Sequence, residues 1–141
     1  MPDRDYFRRD KADGITAPNL ALDCSLAEHV VRARGRRTRY TSVSLDLRSI
    51  SRFGKASYRL LRDRLVEEGH RLIEHEDLLR HLRDTIRGRD RAERLRAVRG
   101  LRFVLQHKEG IADWRFDIAG IDRKDLLAWA APKVREFFSR I

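Results

Sequence analysis

Few side chains in this sequence have the type and spacing for metal or nucleophilic chemistry. The five histidines are His29, His70, His75, His81 and His107, and three of them stand five and six residues apart. A helix of 3.6 residues per turn would spread those three around its axis, unlike the i, i+4 pair of a helical metal site, so no metal is expected. Cys24 is alone. That excludes an internal disulfide and a cysteine zinc cluster, and it fits a reducing compartment. The eight glycines are scattered singly, so neither a Walker nor a Rossmann phosphate loop is present. Charge is the stronger signal. All but five of the 32 basic residues are arginine, whose planar fork pairs bidentately with phosphate or carboxylate. Arg32, Arg34, Arg36, Arg37 and Arg39 form the densest run and could neutralise several phosphates. A solvated turn between helix and strand is the plain alternative.

A more particular pattern runs through separated segments. In order they are Phe7-Arg8-Arg9-Asp10, Glu28-His29, Thr41-Ser42-Val43-Ser44-Leu45-Asp46-Leu47-Arg48-Ser49, and Gly120-Ile121. Together they resemble the mono-ADP-ribosyltransferase toxins of the cholera, heat-labile enterotoxin and pertussis type. In that family an Arg-x-Asp strand comes first, a histidine precedes the next strand, and a Ser-Thr-Ser strand leads into a helix. A glutamate strand then precedes a Gly-Ile segment and a tryptophan helix, here Gly120-Ile121 and Trp129. The resemblance implies an α+β fold, a small split β-sheet core with peripheral helices, and NAD as substrate. It assigns the NAD phosphates to Arg8, the adenosine side to His29, and the nicotinamide half to Ser42 and Ser44. Three positions depart from the pattern: Val43 stands at the centre of the Ser-Thr-Ser element, Ala12 where a second arginine is usual, and His107 two residues before Glu109 where the family carries Glu or Gln.

Cleavage of a nicotinamide-ribose bond develops positive charge on the sugar, which a nearby carboxylate stabilises while accepting a hydrogen bond from the ribose. Glu109 is the candidate in the expected chain order. Asp113, expected on the wet face of the following strand, is the reserve. The reading is therefore a glycosyl transfer from NAD to a macromolecular acceptor, protein or nucleic acid. Two alternatives stand beside it. One is a non-enzymatic basic module that binds nucleic acid or an acidic protein through the Arg32 to Arg39 run; the other is a degenerate ADP-ribosyltransferase fold kept for protein contacts.

The elements that must hold these residues are legible in the periodicity. Ser25-Leu26-Ala27-Glu28 has capping-box spacing, so a helix is expected from Leu26 to about Ala33. Thr41, Val43 and Leu45 alternate with Tyr40, Ser42 and Ser44, predicting a strand. Asp46 can cap a short helix ending at Gly54, after which Ser57 to Leu61 reads as a strand. A strand edge is expected at His70 to Glu74, then a helix bearing Leu78, Leu79, Leu82 and Ile86. A second helix runs from the Asp90 cap to about His107, with Gly110 as its stop. Ala112, Trp114, Phe116 and Ile118 alternate with Asp113, Arg115 and Asp117, predicting a half-buried strand. Leu126, Leu127, Val134, Phe137 and Phe138 mark a terminal helical region after Asp122, kinked or restarted at Pro132.

These elements fit one α+β domain over 1–141. The chain has 141 residues, 41% of them hydrophobic, too apolar for a disordered chain. Net charge is +10, which suits phosphates or acidic partners. The opening MPDRDYFRRD lacks an apolar leader and no stretch approaches the roughly 18 apolar residues of a membrane span, so a cytoplasmic protein without a membrane partner is expected.

Overall fold

A computed structural model describes residues 4–31 and 37–141. Strand β1 (Phe7–Asp10) is followed by helix α1 (Leu26–Val31), β2 (Tyr40–Ser44), a short 3₁₀ helix (Leu47–Phe53) and β3 (Ala56–Leu60). Then come α2 (Arg62–Glu67), β4 (Arg71–Ile73), α3 (His75–Ile86), α4 (Arg91–His107), β5 (Glu109–Asp113), a 3₁₀ turn (Arg123–Asp125), α5 (Leu126–Arg135) and β6 (Phe138–Arg140). The α+β expectation holds. The strands form one six-stranded antiparallel sheet in the order β4-β5-β2-β1-β3-β6. Its two halves are unequally joined. β2 pairs with β5 over five residues and β1 with β3 over four, whereas β1 meets β2 at the single pair Phe7↔Ser44.

The local signals work as hydrogen bonds. The Glu28 amide donates to the Ser25 hydroxyl at 3.1 Å, the Glu93 amide to Asp90 at 3.1 Å, and the Arg48 amide to Asp46 at 3.1 Å. Each satisfies a donor that the first turn leaves without a partner. Alternate residues of β5 feed two cores. Ala112 joins Tyr6, Val43, Trp114 and Phe137, while Ile111 joins Val30, Leu78, Leu82 and Val104 beneath α1, α3 and α4.

Several boundaries differ from the sequence expectation. Lys108, in the left-handed region at φ 47°, ends α4, and Gly110 lies inside β5. A Cβ on Gly110 would come within 2.5 Å of the Tyr6 ring, so glycine is needed for close packing rather than for a helix stop. The strand predicted to continue through Ile118 ends at Asp113, because its neighbours β2 and β4 offer no pairing residue beyond Tyr40 and Arg71. Past that point Trp114 and Phe116 keep their alternation by stacking at 5.6 Å, with Phe137 5.4 Å from Trp114. Pro132 lies inside a single helix, and Phe138 belongs to edge strand β6 rather than to that helix. Ala33 and the Arg32, Arg34 and Arg36 part of the basic run lie outside the described residues. Among the described residues no helix is long and apolar enough to cross a membrane, and no group of His, Cys, Asp or Glu could hold a metal ion.

Candidate functional site

Where β1 and β2 separate, their side chains border a cleft of about 1070 Å³. Arg8 and Arg9 come from β1, His29 from α1, Ser42 and Ser44 from β2, and Glu109 from the first position of β5. Five of the six residues assigned by the resemblance therefore converge. The exception is Asp113.

Arg8 is held from two sides. Its Nε donates to Asp10 Oδ2 at 2.7 Å and its Nη1 to the Ser42 carbonyl at 2.8 Å, which ties β1 to β2 beyond their single residue pair. Asp10 also accepts from the Thr16 amide and hydroxyl. Burial alone would raise the Asp10 carboxyl, but the Arg8 guanidinium and the Thr16 donors outweigh it and hold it below the usual carboxylate range. Arg8 is thus preorganised by an ionised partner where it lines the cleft.

His29 bridges two hydroxyls. Its Nδ1 bonds Thr38 Oγ1 and its Nε2 lies 2.7 Å from Ser42 Oγ, fixing the serine that borders the middle of the cleft. Burial, with repulsion from Arg8 second, pushes the imidazole down to about 4, so the ring is neutral and offers a single N–H. Ser44 has a different duty from Ser42. It is fully buried; its hydroxyl bonds the His107 carbonyl and accepts from the Asp46 amide at 2.9 Å. Together with the Leu45 amide donating to the Lys108 carbonyl at 3.1 Å, this fastens the α4–β5 junction to β2. Ser44 pairs in register with Glu109 and so positions it.

Glu109 is the unusual group. Its Oε2 is sealed from solvent and has no hydrogen-bond partner among the described residues. Burial pushes the carboxyl up to about 8, against a smaller opposing pull from Arg8. A buried, unpaired polar atom facing a cleft is a cost that folding alone does not explain.

Asp113 corrects the expectation of a wet-face carboxylate. It is buried, does not line the cleft, and is gripped by Arg39 at 3.1 Å and Arg115 at 2.7 Å. The same contact uses up Arg39 of the basic run, which also lies 3.8 Å from Asp23. Arg37 lines the cleft instead. Arg9 and Arg52 line it too, and neither of them nor Arg37 has a carboxylate partner among the described residues. The cleft therefore carries excess positive charge. Arg9 and Arg52 gave no sequence signal of their own among so many arginines, and Thr38 gave none at all. His107, read from the sequence as a helix end and as a departure from the family pattern, borders the cleft as well. Compared with known proteins, the chain matches no family model, no curated protein and no solved structure.

Proposed function

We propose that this chain is an ADP-ribosyltransferase-like domain that binds NAD in the cleft and transfers its ADP-ribose to a macromolecular acceptor. The observation that carries the proposal is the meeting of Arg8, His29, Ser42 and Glu109, from four separate elements, around one cleft in which the Glu109 Oε2 has no hydrogen-bond partner among the described residues. A volume of about 1070 Å³ accommodates a dinucleotide, being at the upper end of ordinary ligand pockets. Excess guanidinium charge suits a diphosphate.

In this reading Arg8 faces the diphosphate and Ser42, held by His29, braces the nicotinamide half. The bond from ribose C1′ to the nicotinamide nitrogen breaks, and nicotinamide leaves neutral with the electron pair. The Glu109 carboxylate faces the positive charge growing on the sugar and accepts a hydrogen bond from the ribose hydroxyl. An acceptor nucleophile bonds to C1′ and releases its proton to solvent. The cationic nicotinamide ring of bound NAD favours the ionised carboxylate that burial disfavours in the empty cleft.

Incubation with NAD labelled in the nicotinamide ring tests this. Wild-type protein should release nicotinamide, Glu109→Gln should lose about 100-fold or more in rate, and Asp113→Asn should keep the rate per folded molecule. NAD binding without release would leave the degenerate version of the fold; neither binding nor release would remove the proposal. The second reading, a non-enzymatic basic module, draws on Arg9, Arg37 and Arg52, which line the cleft without a carboxylate partner among the described residues, and predicts anion binding that weakens steeply with salt in the absence of any turnover.

A further inference from the structure

The lip of the cleft is aromatic where its floor is polar. Among the described residues, the strongly exposed large hydrophobics include two aromatic rings, Phe53 at 53% and Phe103 at 42%, and both line this cleft. They flank the buried ring of His107, which Phe53 meets edge-on at 5.0 Å and Phe103 overlies at 6.4 Å. His107 in turn is fixed, its Nδ1 lying 3.1 Å from the Ser49 carbonyl and its own carbonyl bonded by Ser44. His107 stands two residues before Glu109, and all three rings line the cleft that Glu109 borders. The Arg52 guanidinium lies 5.8 Å from the Phe53 ring centre, with Arg9 and Arg37 on the same walls.

Rings left in water give up the gain of burying them, and here two do so, each against His107, on the walls of a positively charged cleft. A partner that presents flat π faces and negative charge at short intervals would recover both terms. Unpaired bases on a phosphate backbone are such a partner. A duplex hides its base faces in the stack, and an apolar protein side chain would satisfy the rings while leaving the arginines unused. We infer that the acceptor is a single-stranded nucleic acid, successive bases of which pack against Phe53 and Phe103, one of them reaching the sugar beside Glu109. This rests on the ADP-ribosyl transfer reading of the cleft. The step is a displacement: a nitrogen of that base bonds to ribose C1′ of NAD as the bond to nicotinamide breaks, nicotinamide leaves neutral, and the base gives up a proton to solvent.

The experiment has two arms. In the first, without NAD, a fluorescent oligothymidylate and a duplex of equal length are titrated with wild type, with Phe53→Ala/Phe103→Ala and with Phe53→Tyr/Phe103→Tyr. The single strand should bind more tightly than the duplex. The alanine pair should lose about tenfold per ring, and the tyrosine pair should recover most of that. Arg52→Ala should lower the salt slope by about one. Equal binding of duplex, or alanine-variant binding equal to wild type, overturns the inference. In the second arm, NAD is added with mixed-sequence single strands and the strands are weighed by mass spectrometry. Addition of one ADP-ribose to the strand supports the inference. Nicotinamide release with no strand adduct overturns it and leaves the transferase reading standing. Ring-dependent strand binding with no nicotinamide release removes the transferase reading while supporting the strand site.

Discussion

A carboxyl oxygen held away from water without a partner costs about 1–3 kcal/mol, and Glu109 Oε2 meets that description among the described residues while the strand neighbour Asp113 is satisfied by two arginines. The cost has a pH signature. With the folded group raised to about 8 against 4.5 in a free chain, the folded state binds one proton more than the unfolded state between those values. The resulting stability is complete below pH 4.5 and declines by about 1.4 kcal/mol per unit until pH 8, where it levels. Urea unfolding at stepped pH should therefore find Glu109→Gln more stable than wild type at pH 8 to 9, the gap closing toward pH 4.5. Activity should run the other way. Under the proposed transfer, in which Glu109 must be ionised before NAD binds, kcat/KM for NAD should climb about tenfold per unit below pH 8 and flatten above it. A pH-rate profile already flat from pH 5 upward would count against Glu109 as the working carboxylate. Which of the two acids would serve could not be read from type or spacing. It depends on Arg39 and Arg115 closing on one of them.

At the next scale, short elements hold the site through close backbone approaches. α1 presents His29, and its Val30 lies so near α4 that a Cβ on Gly100 would fall 2.2 Å from the valine Cγ2. Alanine would add up to about 1 kcal/mol of helix propensity, but a stiff β-branched neighbour with no space must move. Gly100→Ala should thus destabilise by about 1–3 kcal/mol in chemical denaturation, and it should weaken NAD affinity by shifting His29. The reverse is expected at the helix C-terminus. Lys108 sits at φ 47°, one residue before Glu109, where an L side chain is strained. Lys108→Gly should gain about 0.5–1 kcal/mol. Helices α1, α3 and α4 and strand β2 were evident from caps and periodicity. The end of β5 was not, because alternation survives in an aromatic stack after the ladder stops.

Across the whole molecule the sheet is two halves, β4-β5-β2 and β1-β3-β6, meeting at one residue pair. Arg8 and Asp10 belong to one half, Ser42 and Glu109 to the other, and the bond from Arg8 to the Ser42 carbonyl spans the gap. A ligand touching both sides acts as a further tie. NAD at 100 times its dissociation constant should stabilise the fold by about 2.7 kcal/mol, which for a domain of this size raises Tm by on the order of 5–10 °C. Differential scanning fluorimetry would register this, and Arg8→Ala should abolish the shift. An unchanged Tm at saturating NAD would show that the cleft does not take it.

By itself the amino-acid sequence determined what depends on neighbours within a few residues. The Ser25, Asp46 and Asp90 caps and the two-residue alternation of β2 act over such distances. Tertiary structure decided which groups lose water and which find partners. It paired Asp113, left Glu109 Oε2 alone, turned Ser44 into a brace and exposed Phe53 and Phe103 at the lip. Solvation and ion pairing are set by atoms brought together from opposite ends of the chain, and a local pattern carries no measure of them.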